Sequence, residues 1–82
     1  MDRYISLAAM LPGQRRRIII IHGGHGMVRR LNALGIYKGR IITKISAQWM
    51  CGPVVIRIDT TDIAIGYGIA NRIMVSSDEV ST

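Results

Sequence analysis

The fold of this 82-residue chain is decided by the stretch Met27-Val28-Arg29-Arg30-Leu31-Asn32-Ala33-Leu34-Gly35-Ile36-Tyr37-Lys38-Gly39, which continues into Arg40-Ile41-Ile42-Thr43-Lys44-Ile45. Met27, Leu31 and Leu34 are spaced i, i+4, i+7, so they share one face of a short helix over about 27–34. Gly35 stands where a helix C′ residue needs left-handed φ, and Gly39 stands where the chain must turn again. Because so short a helix is marginal alone, it must pack on a sheet. The stretch predicts a small β structure with one inserted helix.

Short apolar segments on both sides of this stretch predict the remaining elements. We expect a helical turn within 5–11, another near 67–71, and strands at 14–21, 40–46, 54–58, 63–65 and 72–75. The strand at 54–58 alternates most clearly, because Val54, Ile56 and Ile58 point to one face. In the strand at 40–46, Ile41, Thr43 and Ile45 share a face.

The first strand contains four consecutive isoleucines, 18–21, which do not alternate. This strand is therefore either covered on both faces or shifted in register by a bulge. Five short strands with a hydrophobic face should curl into a small barrel that closes most of their edges. The fold class predicted is mainly β, a five-stranded barrel with one short inserted α-helix.

The length fits a single domain over 1–82, with a core at about 7–75 and a polar, disordered tail at 76–82. No apolar run is long enough for a membrane span, and Met1-Asp2-Arg3-Tyr4 does not begin a secretory signal. The single cysteine, Cys51, excludes an internal disulfide and fits a reducing cytosol. We therefore expect a cytoplasmic protein, peripheral to a membrane at most.

Charge is distributed unevenly along the chain, whose formal net charge is +6. Residues 1–44 carry nine Lys or Arg and one acid, whereas residues 45–82 carry two Arg and four acids. A basic surface of this kind suits an anionic partner, such as an acidic protein face, a nucleic acid or the inner membrane surface. A merely solvated surface explains it equally well.

Several residues could carry chemistry, but none forms a recognisable catalytic pattern. The loop Gly23-Gly24-His25-Gly26 precedes a helix, yet it lacks the third glycine of a dinucleotide fingerprint and the lysine of a P-loop. His22, His25 and Cys51 are possible metal ligands, but their spacing does not define a ligand count or geometry. We expect no enzyme activity, no cofactor and no metal site.

The candidate partner-binding residues are Arg29, Arg30, Trp49, Met50 and Cys51. Both arginines lie off the apolar face of the predicted helix and should be exposed, where they could dock an acidic surface. The loop with Trp49, Met50 and Cys51 holds the only tryptophan, a residue common among interface anchors. The alternative is that Trp49 folds back to cover an open end of the barrel.

The order of several motifs resembles the FeoA family, the small cytosolic partners of the bacterial ferrous-iron permease FeoB. The resemblance runs from about Leu7 to Val75. The matching stretches are Leu11-Pro12-Gly13-Gln14, the glycine loop, 29–39, Gly52-Pro53-Val54-Val55-Ile56 and 63–75. The loop before Pro53 departs from the small or proline-containing turn that is frequent in this family.

The resemblance implies an SH3-like β-barrel, no catalytic activity and a role in ferrous iron uptake. The implied partner is the cytosolic region of a FeoB-type permease, which the chain would dock on and modulate. Nucleic acid is not an expected partner, and self-association stays open. Two alternatives remain: a small basic barrel that binds nucleic acid, for which Arg15-Arg16-Arg17 is the motif, and an iron-binding metallochaperone.

Overall fold

The structure is a computed structural model that describes residues 3–47 and 51–80. Its elements, in chain order, are β1 (Tyr4–Ser6), a 3₁₀ helix (Leu7–Ala9), β2 (Arg15–Ile21), α1 (His25–Ala33), β3 (Ile41–Ala47), β4 (Val54–Ile58), β5 (Thr61–Ile65), α2 (Tyr67–Ala70) and β6 (Ile73–Ser76). The helix predicted over about 27–34 and the helical turn predicted near 67–71 are therefore confirmed as α1 and α2. α1 begins two residues earlier than predicted.

All six strands belong to one antiparallel sheet in the order β1-β6-β2-β3-β4-β5. The central strand β2 joins its two halves, because Arg15–Arg17 pairs with β3 and Ile18–Ile21 pairs with β6. Among residues 3–47 and 51–80, β1 and β5 do not pair with each other. The mainly β class is confirmed, but the sheet is not closed by hydrogen bonds as the barrel prediction assumed.

The prediction of five strands is wrong by one. A helical turn was expected within 5–11, but Tyr4–Ser6 pairs with β6, 68 or more residues away, with Tyr4 opposite Ser76. Only Leu7–Ala9 is helical, and the Ser6 hydroxyl accepts a hydrogen bond from the Ala9 N–H at 3.2 Å. Because β1 is held by pairing with a distant strand, its three residues contain no sequence pattern that predicts a strand.

A bulge resolves the run of four isoleucines in β2. The pairing of β2 with β6 shifts in register between Ile18 and Ile20. Ile18 is therefore buried, whereas Ile20 on the far side of the bulge is exposed. This confirms the second of the two alternatives for the non-alternating strand.

The core is almost entirely aliphatic. Val54, Ile56 and Ile58 are all buried, as their alternation predicts. In β3 the fully buried face is the opposite of the Ile41/Thr43/Ile45 face, because Ile42 and Lys44 point inward. The remaining buried members are Leu7, Met10, Ile18, Leu31, Ile36, Ile65, Ala70, Ile73 and Val75.

Lys44 lies within this core, with 1% of its surface exposed. Its ammonium donates hydrogen bonds to the carbonyl oxygens of Leu7 (3.3 Å), Ala8 (3.0 Å) and Met10. These carbonyls stand at the 3₁₀ helix and just after it, so the side chain ties the N-terminal segment to β3. Burial lowers the pKa of this ammonium.

Beyond β6 the chain stays against the sheet up to Val80. The N–H groups of Ser77 and Val80 donate to the carbonyls of Arg3 (3.0 Å) and Arg15 (2.8 Å). Arg16, 8% exposed, donates to the carbonyls of Ser76 (3.0 Å) and Ser77. The single domain with its core at 7–75 stays a prediction, whereas the expected disordered tail at 76–82 is corrected in its first part, because Ser76 belongs to β6 and Ser77 and Val80 are hydrogen-bonded to other segments.

Candidate functional site

The end of α1 is set by a glycine-terminated Schellman motif. Leu34 is the C-cap, and Gly35 follows with φ +94°. The Ile36 N–H donates to the Leu31 carbonyl at 2.9 Å, and the Gly35 N–H donates to the Asn32 carbonyl at 3.0 Å. These two bonds satisfy carbonyls that the last turn of a helix leaves unpaired. The sequence prediction for Gly35 is thereby confirmed.

The turn after α1 places a cation beside an aromatic ring. Gly39 has φ +93°, and its N–H donates to the Ile18 carbonyl at 2.8 Å. The Arg40 guanidinium lies 5.3 Å from the centroid of the Tyr37 ring, donates to the Tyr37 hydroxyl at 2.6 Å, and pairs with Asp59. The Tyr37 hydroxyl raises the pKa of Arg40, and Asp59 contributes in the same direction.

The predicted apolar face of α1 is only partly covered. Leu31 is 6% exposed and Met27 is half-buried, so these residues pack against the core as expected. Leu34 is 56% exposed, so its expected burial on the same face is wrong. It lies at the C-cap, where the chain turns away and no element of the described structure covers it.

A groove runs between α1 and α2, here called the α1–α2 groove. Its volume is about 200 Å³, and its lining residues are Met27, Arg30, Leu31, Leu34 and Ile69. Four of these five side chains are apolar, and the fifth is that of Arg30. Sequence reasoning missed this groove, because Ile69 reaches α1 only through the tertiary fold.

A second groove, the α1–β2 groove, lies on the other side of the same helix. Its volume is about 350 Å³, and it is lined by Ile20, Ile21, Val28, Asn32, Tyr37 and Lys38. The exposed Ile20 that the β2 bulge turns outward contributes to its wall. Thus α1 presents apolar concave surface on both sides, with a cationic side chain at each.

The exposed charges on α1 have one sign. Arg29 and Arg30 are both exposed, as predicted, and α1 contains no acidic residue. Neither arginine has a carboxylate within 4 Å among the described residues, whose ion pairs are Arg40–Asp59 and Arg57–Asp62. Their charges are therefore free to meet an anionic group on another molecule.

The arginine run on β2 is divided by the fold. Arg16 points inward and binds backbone carbonyls, while Arg17 donates to the Gly39 carbonyl at 2.8 Å. Alternation along a strand makes this division unavoidable, because successive side chains point to opposite faces. The run does not form a continuous basic patch.

The described residues proposed for partner binding lie on two different segments of the chain. Arg29 and Arg30 lie on α1, whereas Cys51 is exposed in the β3–β4 connection with φ +63°. Trp49 and Met50 lie outside the described residues, so their proposed roles stay predictions. No hydrogen bond or ion pair links Cys51 to either arginine in the described part of the chain.

The candidate metal ligands His22 and His25 are both exposed near the start of α1. Over 3–47 and 51–80, no group of three or more His, Cys, Asp or Glu side chains is arranged to hold a metal ion. In the same residues, no helix has the length and apolarity required to cross a membrane.

Comparison with known proteins gives one consistent result. The FeoA domain family model matches residues 5–77. A crystal structure described as iron uptake regulatory protein (FeoA) is 30% identical, with a TM-score of 0.84 over 94% of this chain and 99% of that one. No curated protein sequence matches the chain significantly.

More distant structures share the fold. A FeoA-like protein from Clostridium acetobutylicum is 20% identical, with a TM-score of 0.79 over 100% of this chain and 96% of that chain. A manganese-dependent transcriptional repressor is also 20% identical, with a TM-score of 0.83 over 95% of this chain. This chain spans only 44% of that repressor, so the likeness is to one of its domains.

Proposed function

Because this chain belongs to the FeoA family, we propose that it is a non-catalytic accessory protein that docks on the cytosolic region of a FeoB-type permease and modulates it. Membership of the family gives the chain a role in ferrous iron transport. The SH3-like fold that the resemblance implied is confirmed by the same matches. Docking, modulation and a cytoplasmic location are the parts that we propose.

One observation carries this proposal: the family match covers residues 5–77, and the 30% identical FeoA structure is matched over 99% of its length. The similarity thus extends through the helix, both turns and the sheet, and is not confined to one motif. A fold alone would not support a function, since one fold hosts many.

The surface of α1 supports docking on another protein. It combines two arginines that lack an ion pair within the described residues with apolar grooves on both sides. Arginine, methionine and aromatic residues are enriched at protein interfaces, and Met27 and Tyr37 line these grooves. An accessory protein that acts by contact needs such a surface and no reactive centre.

The alternative function, nucleic-acid binding, has less support because the fold divides the Arg15–Arg17 run. The Arg16 guanidinium is turned inward, so it is not available to bind phosphates. Few aromatic residues are available for base stacking, which single-strand binding domains depend on. No observation favours the metallochaperone alternative over the docking role.

The test of this proposal measures transport and binding together. In cells that express the permease but lack this chain, we expect Fe²⁺ uptake to change and to be restored by the wild-type gene. The purified chain should bind the purified cytosolic region of the permease in a calorimetric titration. Unchanged uptake together with no binding would refute the proposal.

The contact assignment from the sequence has its own test. We expect the double variant Trp49→Ala with Arg29→Glu to bind the cytosolic region more weakly than wild type. If this variant binds with unchanged affinity, the Trp49 loop and Arg29 do not form the contact, while the docking role itself survives.

A further inference from the structure

The α1–α2 groove has an apolar wall that nothing in the described structure covers. Leu34 leaves more than half of its surface in water, although it lines the groove with the better buried Met27 and Leu31. Ile69 closes the opposite side from α2. Removal of apolar surface from water lowers the free energy, so insertion of a partner's apolar side chain into this groove favours binding.

The size of the groove restricts what can occupy it. At about 200 Å³ it lies below the range of pockets that enclose a drug-sized ligand. It suits one or two inserted side chains from the surface of another macromolecule. A flat bilayer surface would touch Leu34 and leave the concave floor unfilled.

The positive charge at the groove indicates which chemical group a partner must carry. Among the described residues, Arg30 is the only polar one that lines the groove, and Arg29 stands on the preceding position of the same helix. The acidic residues of the described chain lie at 59, 62, 78 and 79, and two of them are already paired with Arg40 and Arg57. A carboxylate from outside can therefore pair with Arg30, in the fork geometry that arginine favours.

We propose that the α1–α2 groove binds an acidic segment of the permease's cytosolic region, with a large apolar side chain inserted beside Leu34 and a carboxylate paired with Arg30. This inference rests on the proposed docking function and adds to it the surface and the chemistry of the partner. In this arrangement Leu34 and Arg30 carry the affinity, and Arg29 contributes only to electrostatic attraction.

The chain supplies matched controls for both kinds of contact. Leu34→Ser and Leu11→Ser each remove an exposed leucine, 56% and 64% exposed respectively, but only Leu34 lines the groove. Arg30→Glu and Arg3→Glu make the same change of net charge at exposed positions, but only Arg30 lines the groove. All four sites are exposed, so the variants should fold, and this is checked by thermal unfolding.

The experiment titrates each variant against the purified cytosolic region of the permease. We expect Leu34→Ser and Arg30→Glu to raise Kd by about tenfold or more, and the two controls to raise it by less than about threefold. Amide shifts of the labelled wild-type chain should change around Met27, Leu34 and Ile69. A parallel titration uses vesicles of phosphatidylglycerol and phosphatidylcholine.

The outcomes separate this inference from the function on which it rests. If the wild-type chain does not bind the cytosolic region, the groove and the docking role are both overturned, while an effect on Fe²⁺ uptake is judged by the transport measurement. If it binds and all four variants bind equally well, or if Arg3→Glu and Arg30→Glu weaken binding equally while Leu34→Ser has no effect, only the groove is overturned. If Leu34→Ser and Arg30→Glu lose binding to the vesicles but keep the wild-type affinity for the cytosolic region, the occupant of the groove is a lipid surface and the proposed partner is wrong.

Discussion

At the residue scale, Lys44 is a charged side chain in an aliphatic core. All three N–H groups of its ammonium donate hydrogen bonds to backbone carbonyls of the segment that precedes β2, so no donor is left unpaired. A buried charge is tolerated only when it is hydrogen-bonded in this way. The lysine therefore fixes the N-terminal segment across the sheet, where an apolar residue could only pack.

Replacing Lys44 by methionine should lower the free energy of unfolding by about 2 kcal/mol. The apolar stem is kept, but the part-buried Ala8 carbonyl and the buried Met10 carbonyl lose their donor, which costs on the order of 1–3 kcal/mol. Urea unfolding measures the change, with Lys38→Met at an exposed position as the control. A variant as stable as wild type would mean that the cost of burying the ammonium cancels its hydrogen bonds.

The strand pair β4–β5 carries an ion pair that is sensitive to acid. The Arg57 guanidinium donates to both carboxylate oxygens of Asp62, at 2.7 and 3.1 Å, and lowers the pKa of that carboxyl. A lowered pKa in the folded state means that the stabilisation is present near neutral pH. It is lost as the pH falls below about 4, through the lowered value.

Arg57→Gln should therefore raise the pKa of Asp62 toward its ordinary value. Carboxyl-carbon NMR shifts recorded from pH 7 to pH 2 measure this, and Arg72→Gln at another exposed position serves as the control. The variant should also lose less stability than wild type over the acidic part of this range. An Asp62 titration curve that does not move would show that the ion pair is absent in solution.

At the scale of elements, α1 depends on how it ends. Its N-cap is Gly24, which has no side chain to cap the first turn, so the Schellman motif at Gly35 is the main local signal that defines the helix. This signal was readable in the sequence, because only glycine adopts left-handed φ without cost. The uncapped start was not readable, and it explains why α1 begins earlier than predicted.

Gly35→Ala should lower the free energy of unfolding by about 1 kcal/mol, because φ +94° is strained for any residue with a Cβ. Gly26→Ala is the matched control, since it lies within α1 and an added Cβ meets nothing within 4 Å. The control should stabilise the chain by up to about 1 kcal/mol. Equal effects of the two substitutions in urea unfolding would contradict the assigned helix end.

At the scale of the whole molecule, the sheet places its first strand beside its last. β1 and β6 pair with each other, and β6 also pairs with β2, so the N-terminal segment is an edge of the sheet. β5 forms the other edge. This arrangement leaves α1 and α2 on the connections between strands, where their exposed sides bound the α1–α2 groove.

The candidate site was predictable only in part. Arg29 and Arg30 could be placed on the outward side of α1 by helical spacing, and the structure shows both exposed. The exposure of Leu34, the contribution of Ile69 to the groove and the inward turn of Arg16 depend on which elements meet. Spacing along the chain contains no information about these contacts.

By itself the sequence determined the local features of this protein: the glycine turns at 35 and 39, the alternation of β4 and the basic surface of α1. These follow from backbone sterics and side-chain periodicity, which act over a few residues. Only the tertiary structure decided that β1 is a strand, that Lys44 is buried and that a groove lies between the two helices. Each of these results from pairing or packing between segments more than 30 residues apart, which no local pattern encodes.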